Sequence, residues 1–513
     1  MTDWTSGYVA DIGYTHGFYR ELTPALLQMV AWAKGVNAPD AGKPLTYCEL
    51  GCGQGFTTNL LAAANPQIEF HATDFNPSHI AGALDLARDA ESANIHFYDD
   101  SFSDFVERDD LPGFDIISLH GIYSWVADEH RRTIVEFVRR KLNPGGLVYI
   151  SYNALPGWSV AAPLRQLMFL HGKAQGGPTV GRITPALEFI EKLMNAEARY
   201  FTANSSLKAR HEQIAGHNPS YVAHEYLNDT WSLFYHSDIA ADLAGAKLSY
   251  VGSANLLDHV DPINMSAAQK EILEGISDPV LRETARDYVV NQQFRRDVFA
   301  RGTVPLPSAR SRETWLDSRF ILNVRREDVK LKVKGALGDA DLHADAYEPI
   351  LDALAAGPAS LRQVLAADSR IGALGWDRLI EALILLVGSN QVDPCLPART
   401  DAKRIKAVRA FNHVVMRRAC DSADLGFLAS PMTGGGINVP RFNQIFLLAL
   451  EQGRKTADDC AAFGWNILSE QGQMLMKDGQ PLSTPEDNLA ELKRLAAKFF
   501  ERQLPVLRMH HIA

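Results

Sequence analysis

The chain has 513 residues, of which 46% are hydrophobic and 22% charged, and this composition excludes collagen-like, coiled-coil and disordered proteins. Its 51 Lys and Arg against 61 Asp and Glu give a formal net charge of −10, so no overall electrostatic attraction to nucleic acid or anionic lipid is expected. At roughly 150 residues per domain, the length predicts about three or four domains.

Neither a membrane span nor a signal peptide is predicted. The longest apolar runs, such as Leu383–Val387, are far shorter than the roughly 18 residues that would cross a bilayer. The N-terminal segment Met1–Trp4 lacks a basic region followed by an apolar one. The five cysteines lack metal-ligand spacing apart from Cys48 and Cys52, and are interpreted as free thiols. We therefore predict a cytoplasmic protein without membrane insertion.

The first 150 residues alternate between strand and helix patterns. The predicted strands are Leu45–Leu50, Ile68–Thr73, Ile95–Tyr98, Phe114–Leu119 and Leu147–Tyr152. The predicted helices are Phe56–Ala64, Ile80–Asp89 and His130–Leu142. This alternation predicts an α/β fold with a parallel, doubly wound sheet, of the Rossmann-like kind.

The alternation stops after Pro156, where a helical stretch predicts an insertion or lid over residues 158–247. Two returning strands are predicted at Leu248–Leu256 and Phe294–Arg301. The predicted core is therefore divided into residues 1–157, with the first five strands, and residues 248–305, which complete the sheet. The Pro-containing segment Gly302–Arg312 is the predicted linker.

Two further units are predicted beyond the linker. Residues 306–400 contain helices at Tyr347–Leu354, Leu361–Ala366 and Trp376–Leu386 and a strand at Asn390–Pro394, which resemble a winged-helix module. The third helix carries one Arg and two acids, a poor recognition helix, so no nucleic-acid partner is expected. Residues 401–513 are predicted to be a helical C-terminal domain.

The segment Glu49-Leu50-Gly51-Cys52-Gly53-Gln54-Gly55 follows a strand and opens a helix. Its glycines permit positive φ and a close backbone approach to a ligand. The pattern is not the dinucleotide G-x-G-x-x-G, and Glu49 would crowd a pyrophosphate, so the sequence disfavours NAD or FAD. A carboxylate here suits a cationic ligand such as S-adenosylmethionine. Asp74, which ends the second strand, is expected at the ribose hydroxyls, and Asp100, which ends the third, at the adenine amino group.

The segments Glu49–Gly55, Asp74 and Asp99-Asp100-Ser101 resemble motifs I, II and III of class I S-adenosylmethionine-dependent methyltransferases. Four further segments resemble bacterial methyltransferases with a methyltransferase regulatory domain, here about residues 215–302: Tyr14–Tyr19, His120–Val126, Ser151–Trp158 and His224–Leu227. The architecture is similar to that of the outer-membrane-protein lysine methyltransferases of intracellular bacteria. That resemblance implies a dimerisation insertion and therefore a homodimer.

The cofactor-binding residues predicted from these motifs are Tyr14, Glu49, Gly51, Gly53, Gly55, Asp74, Asp100, Ser101 and His120. The catalytic candidates are His120, Tyr123, Asn153, Trp158 and His16. Most of these follow the fourth and fifth strands, whose carboxyl ends should form the methyl-acceptor pocket. For a lysine acceptor, His120, His16 or Glu225 could take the proton, and a Tyr hydroxyl or the Asn153 carbonyl could orient the nitrogen. His120 and Tyr123 are the first choices among the catalytic candidates. Core packing is the alternative for the aromatic residues.

No metal site is expected. The histidines of the insertion region lack H-x-x-x-H spacing and have no cysteine nearby: His211, His217, His224, His236 and His259.

The sequence therefore favours an S-adenosylmethionine-dependent protein lysine N-methyltransferase, whose roughly 200 residues beyond the core would hold a protein substrate. One alternative is a small-molecule O- or N-methyltransferase with the insertion as a lid. Another is a non-catalytic regulator that senses S-adenosylmethionine. A groove crossing into the C-terminal domains would favour the first, and a closed cavity the second.

Overall fold

The computed structural model describes residues 16–398, 401–477 and 479–513. Seven strands form its main sheet: β1 (Leu45–Leu50), β2 (Ile68–Thr73), β3 (Ile95–Tyr98), β4 (Phe114–Leu119), β5 (Leu142–Asn153), β6 (Leu248–Ser253) and β7 (Phe294–Arg301). Their spatial order is β3-β2-β1-β4-β5-β7-β6. The pairs from β3 to β5 are parallel, whereas β7 runs antiparallel to both of its neighbours. The predicted doubly wound α/β sheet is confirmed, and its topological switch point lies between β1 and β4.

Five helices surround the first five strands: α1 (Pro24–Ala33), α2 (Phe56–Ala64), α3 (Pro77–Asp89), α4 (Phe102–Val106) and α5 (Asp128–Lys141). Helix α3 begins three residues earlier than predicted because the Asn76 side chain accepts a hydrogen bond from the Ser78 amide and Pro77 occupies the first turn. Strand β5 also begins earlier than predicted. Leu142 already pairs with Phe114, and the segment 143–146 forms an irregularity within the strand instead of ending the helix as a free turn.

Six helices separate β5 from β6: α6 (Ala162–Gln175), α7 (Thr179–Asn195), α8 (Arg199–Ala203), α9 (Ser206–Ala215), α10 (Pro219–Tyr226) and α11 (His236–Ala244). Helices α6 to α10 enclose an apolar cluster of their own, which includes Trp158, Met168 and Ile190. Helix α11 instead packs on the core, where Ile239 and Leu243 join the cluster around Phe114. Three helices then lead to β7: α12 (Asp261–Asn264), α13 (Ala267–Glu274) and α14 (Pro279–Val290).

The middle region combines short strands with helices. Its elements are α15 (Ser308–Asp317), β8 (Arg319–Leu322), β9 (Lys332–Gly335), β10 (Gly338–Asp341), α16 (Ala344–Leu354), β11 (Ala359–Ser360), α17 (Leu361–Ala367), α18 (Ser369–Ala373), α19 (Trp376–Gly388) and β12 (Val392–Cys395). The predicted linker is too long, since α15 already begins at Ser308. The three predicted helices are present as α16, α17 and α19, beside the antiparallel sheet β11-β8-β12. Their assignment to the winged-helix class stays a prediction.

The C-terminal region is largely helical, as predicted. Its elements are α20 (Asp401–Arg418), β13 (Phe427–Ala429), β14 (Gly436–Asn438), α21 (Arg441–Glu451), α22 (Ala457–Glu470), β15 (Met476–Lys477), β16 (Gln480–Pro481), α23 (Pro485–Lys498) and α24 (Leu504–Met509). It contacts the outer face of the core: Arg418 pairs with Asp85 at 2.8 Å and Asp89 at 2.6 Å. Asn65 donates to the Gly434 carbonyl at 2.7 Å.

Among the helices that the structure describes, none combines the length and the apolar character needed to cross a membrane.

Candidate active site

A cavity of about 530 Å³ opens at the carboxyl ends of β1 to β5. Nine of the predicted site residues line it: Glu49, Gly51, Gly53, Asp74, Asp100, Ser101, His120, Asn153 and Trp158. Because open α/β sheets bind ligands at this edge, next to the switch point, the position of the cavity agrees with the fold.

The glycine loop shapes one wall of the cavity through its backbone. Gly51, Gly53 and Gly55 have φ angles of 73°, 53° and 65°. A Cβ at Gly51 would lie 2.4 Å from the Ile122 side chain, and one at Gly55 would lie 2.5 Å from Ala83, so these two glycines are required by packing. A Cβ at Gly53 would meet no atom within 4 Å, and neither would one at Gly121. Because both residues line the cavity, the space that their side chains would fill remains open to a ligand.

Three acidic side chains face the cavity from the ends of β1, β2 and β3. Glu49 is 4% exposed and accepts a hydrogen bond from the Thr58 hydroxyl, and its burial raises the pKa of the carboxyl to about 7. Asp74 accepts from the backbone amides of Gly53 at 2.9 Å and Asn76 at 3.0 Å. The Arg108 guanidinium donates to Asp100 at 3.0 Å. We call the part of the cavity formed by Glu49, Gly53, Asp74 and Asp100 the core half.

His120 forms a rigid part of the wall. Its Nδ1 lies 2.8 Å from the Tyr149 hydroxyl, and the Tyr19 ring stacks on it with centroids 3.8 Å apart. Burial, and then the nearby Arg296, lower the pKa of His120 to about 3. The imidazole is therefore neutral near pH 7 and is a weak proton acceptor.

Helices of the insertion close the cavity from another side. Trp158, Arg210, Tyr221, Glu225 and Asn228 line it, and we call this set the insertion half. The Arg210 guanidinium lies 4.5 Å above the Trp158 ring. Burial raises the pKa of Glu225 to about 7, although the charges of Arg165 and Arg210 oppose the shift. Within the described ranges, no basic side chain forms an ion pair with Glu225.

Three predicted site residues lie elsewhere, and a fourth falls outside the part of the chain that the structure describes. Tyr123 is fully buried in the core cluster, where its hydroxyl donates to Asp242 at 2.9 Å, and it does not line the cavity. Gly55 lies behind the glycine loop. His16 is not among the lining residues; burial lowers its pKa, and its charged neighbours are Asp424, His79 and Arg418. Tyr14 lies outside the described residues.

Other lining residues had no clear signal in the sequence. Arg210, Tyr221 and Asn228 belong to the helical insertion, and Arg296 to β7. Glu225 was expected only as one of several proton acceptors. The side chains meet through the packing of helices on the sheet, which local sequence patterns do not encode.

None of the described residues beyond Arg296 lines the cavity, so an open groove crossing into the C-terminal domains is not observed. Those domains instead support the N-terminal segment that carries the lining residues Gly17 and Tyr19. Arg20 forms an ion pair with Asp393 of the middle region. The Phe18 ring packs on Phe427 of the C-terminal region, with centroids 5.5 Å apart.

Comparison with known proteins agrees with this geometry. Residues 48–148 match a family model described as a methyltransferase domain, and residues 218–301 match the predicted methyltransferase regulatory domain. An uncharacterized protein of Synechocystis sp. is 42% identical over 504 residues, which cover 98% of each chain. The chain belongs to the class I S-adenosylmethionine-dependent methyltransferases with a methyltransferase regulatory domain.

More distant relatives share parts or all of this architecture. An uncharacterized protein of Rickettsia prowazekii is 28% identical over 334 residues, which cover 63% of this methyltransferase and 57% of that protein. PKMT2 from Rickettsia typhi, solved in complex with AdoHcy, superposes with a TM-score of 0.71 at 20% identity, over 97% of this chain and 99% of that one. The likeness to PKMT2 shows that the fold is shared along the whole chain.

S-adenosylmethionine is the cofactor of this methyltransferase. The carboxylates of the core half fit this cofactor, since the molecule carries an ammonium, a ribose diol and an adenine amino group. Carboxylates can accept hydrogen bonds from all three groups. The open space at Gly53 and Gly121 leaves room for the cofactor to approach the backbone.

Proposed function

We propose that this enzyme is a protein lysine N-methyltransferase. The observation that carries the proposal is Glu225, a half-buried carboxylate without an ion-pair partner among the described residues, which lines the insertion half of the cavity together with Trp158 and Tyr221. A buried anion is costly unless a cation compensates it. The charges of Arg165 and Arg210 compensate Glu225 only in part, since its pKa is still raised, and a lysine ammonium entering the insertion half would complete the compensation.

The core half is proposed to hold the cofactor. Glu49 would bind the ammonium group of the cofactor, and the open space beside Gly53 would hold the adjoining part of the molecule. Asp74 would bind the ribose hydroxyls, and Asp100 would bind the adenine amino group. Ser101 is less available, because its hydroxyl caps α4 by binding Asp104. When bound, S-adenosylmethionine supplies a methyl group carried on a sulfonium.

The insertion half is proposed to prepare the acceptor. A lysine amine has a pKa near 10.4 in water and must lose a proton before its lone pair can attack. Desolvation between Trp158 and Tyr221 would lower that pKa, and Glu225, whose own pKa is about 7, would accept the proton. Glu225 suits this task better than His120, whose pKa near 3 makes it a poor acceptor. His120 and Asn153 would instead orient the amine.

The likeness to PKMT2 along the whole chain supports a lysine acceptor, since that abbreviation denotes a protein lysine methyltransferase. A small-molecule acceptor is the second candidate. It is favoured by the observation that all described lining residues lie between Gly17 and Arg296, so the C-terminal 200 or so residues contribute no wall to the cavity.

Incubation with radiolabelled S-adenosylmethionine and two fractions of cell lysate, protein and small-molecule, tests the proposal. We expect label in protein that is recovered as methyl-lysine after acid hydrolysis, and much less of it with the Gly53→Ala enzyme. Label found only in the small-molecule fraction would contradict the lysine proposal and support the second candidate.

Two further properties belong to the same proposal. The five cysteines are all free thiols, which suits the reducing cytoplasm. The homodimer implied by the resemblance is proposed to use the insertion, where Leu170 and Val180 are exposed apolar side chains. Light scattering should give twice the mass of the chain, and a monomer mass at micromolar concentration would contradict the dimer.

A further inference from the structure

Three metal-ligating side chains come together on β2 and β3, away from the cavity. Glu69 and His71 are two residues apart on β2 and therefore project from the same face of the sheet. His96 of β3 is the direct neighbour of His71 in the parallel register. One ligand atom from each of the three lies within 4.8 Å of the other two. None of the three residues lines the cavity.

The separations suit a small tetrahedral ion. Glu69 Oε1 lies 3.5 Å from His71 Nε2 and 3.3 Å from His96 Nε2. Ligands bound tetrahedrally at 2.0–2.1 Å from one zinc ion are about 3.4 Å apart. Two of the three separations already have this value, and a rotation of the His96 side chain, which is 46% exposed, would adjust the third.

His71 is an unusual member of the cluster because it is buried. The residue is 4% exposed, and its Nε2 faces Glu69 Oε1 at 3.5 Å without forming a hydrogen bond of good geometry. A buried nitrogen with so long a contact is poorly satisfied, and a bound ion would satisfy it. Its Nδ1 lies 3.0 Å from the Tyr98 hydroxyl. Donation from Nδ1 to Tyr98 would leave the Nε2 lone pair free for a metal, the second-sphere arrangement common in histidine sites.

We propose that Glu69, His71 and His96 bind a Zn²⁺ ion, with a fourth coordination position open to water. Two imidazole nitrogens and one carboxylate oxygen are zinc ligands, and three protein ligands with an open position form a known type of site. The sequence does not reveal it, because the ligands come from alternate residues of one strand and from the next strand, and no H-x-x-x-H pattern results.

Zinc would fasten the edge of the sheet beside the cofactor site. Strand β3 pairs only with β2 in the described sheet, and the ion would add a cross-link between them. Contacts then lead from the site to the core half: Arg108 lies 4.5 Å above the Tyr98 ring and binds Asp100 at 3.0 Å. The proposed ion would therefore stabilise this edge of the sheet, and its binding would not depend on the acceptor.

Calorimetric titration of the untagged, chelator-treated enzyme with ZnCl₂ tests the proposal, with thermal unfolding as a second readout. We expect one ion bound per chain and a higher unfolding midpoint with zinc. Glu69→Gln and His96→Gln should each weaken binding by at least about tenfold, the scale on which even second-sphere partners act. Both side chains are about half exposed, and the unfolding midpoint without zinc reports whether each variant is folded.

The matched control is His413→Gln. His413 and Glu451 form a comparably exposed pair, with Nδ1 and Oε2 2.8 Å apart, and no third ligand joins them in the described clusters. This variant should bind zinc like the wild type. The proposal is overturned if the wild type shows no saturable binding of one equivalent, or if Glu69→Gln and His96→Gln bind zinc as tightly as the wild type does.

Discussion

The core half and the insertion half of the cavity present the same chemical group in different settings. Each contains a carboxyl whose burial raises its pKa to about 7, Glu49 in the core half and Glu225 in the insertion half. Glu49 ends a strand beside a glycine loop whose backbone shapes the wall, whereas Glu225 lies on a helix among long side chains. Two carboxyl groups with the same raised pKa can therefore serve different functions. The core half, with its glycine loop and three strand-end carboxylates, suits the proposed cofactor site, and the insertion half suits the proposed acceptor site.

The largest expected effect is in the core half. Gly53→Ala adds a methyl group that meets no protein atom and enters the space proposed for the cofactor. We expect a loss of roughly 2–3 kcal/mol in S-adenosylmethionine binding, or about 30–150-fold in Kd, measured by calorimetry.

Gly145→Ala is the matched control for backbone strain. Gly145 also has a positive φ, 82°, and open space around its missing Cβ, but it does not line the cavity. Equal losses of affinity in both variants would mean that strain, and not occupancy of the cofactor space, explains the effect.

In the insertion half, Glu225→Gln should lower kcat/KM for the methyl acceptor by about 10–100-fold, since the amide neither pairs with the ammonium nor accepts its proton. The Kd for S-adenosylmethionine should change less than about twofold, because the core half is untouched. Steady-state kinetics with the labelled cofactor measure both. Glu188→Gln, an exposed change on the same insertion, is the control. A parallel loss of cofactor affinity in Glu225→Gln would remove the distinction between the halves.

The pH dependence of cofactor binding should follow Glu49. Since burial raises its pKa to about 7, the carboxyl is protonated below that value and attracts the ammonium only once ionised. The affinity should therefore rise roughly five- to tenfold from about pH 6 to pH 7.5. In Glu49→Gln it should be weak and nearly constant with pH.

The stability of the ligand-free enzyme should change with pH in the opposite direction to the cofactor affinity. The pKa of Glu49 is 4.5 unfolded and about 7 folded, so its contribution to stability is present at low pH and is lost between these values as pH rises. Above pH 7, Glu49→Gln should therefore unfold at a higher temperature than the wild type. If the stability difference is the same at pH 5 and pH 8, the carboxyl does not titrate as stated.

The smallest effect is expected at Tyr123, between the two halves in sequence but outside the cavity. Tyr123→Phe removes one hydrogen bond to Asp242 and should lower the free energy of unfolding by about 1 kcal/mol, as measured by denaturant titration. Turnover should stay within about twofold. A large drop in kcat without loss of stability would return Tyr123 to the catalytic candidates.

The two halves also differ in how far the sequence predicts them. Strands β1 to β4 and β7 have their predicted bounds, and Glu49, Gly53, Asp74 and Asp100, which the sequence singles out for cofactor binding, line the cavity. Glycines and strand ends carry local signals for these positions. Arg210, Tyr221 and Asn228 line the cavity because of how α9 and α10 pack on the sheet. The local sequence around these residues carries no signal for that packing. Tyr123 follows β4 in the sequence, yet its ring turns into the core, because adjacent residues after a strand end can face opposite ways.

A crystal structure of the enzyme with AdoHcy tests the division of the cavity most directly. We predict that AdoHcy contacts Glu49, Gly53, Asp74 and Asp100, and that the space between Trp158 and Glu225 stays open for the acceptor. AdoHcy bound against Trp158 and Glu225, with no contact to Gly53 or Asp74, would contradict the account.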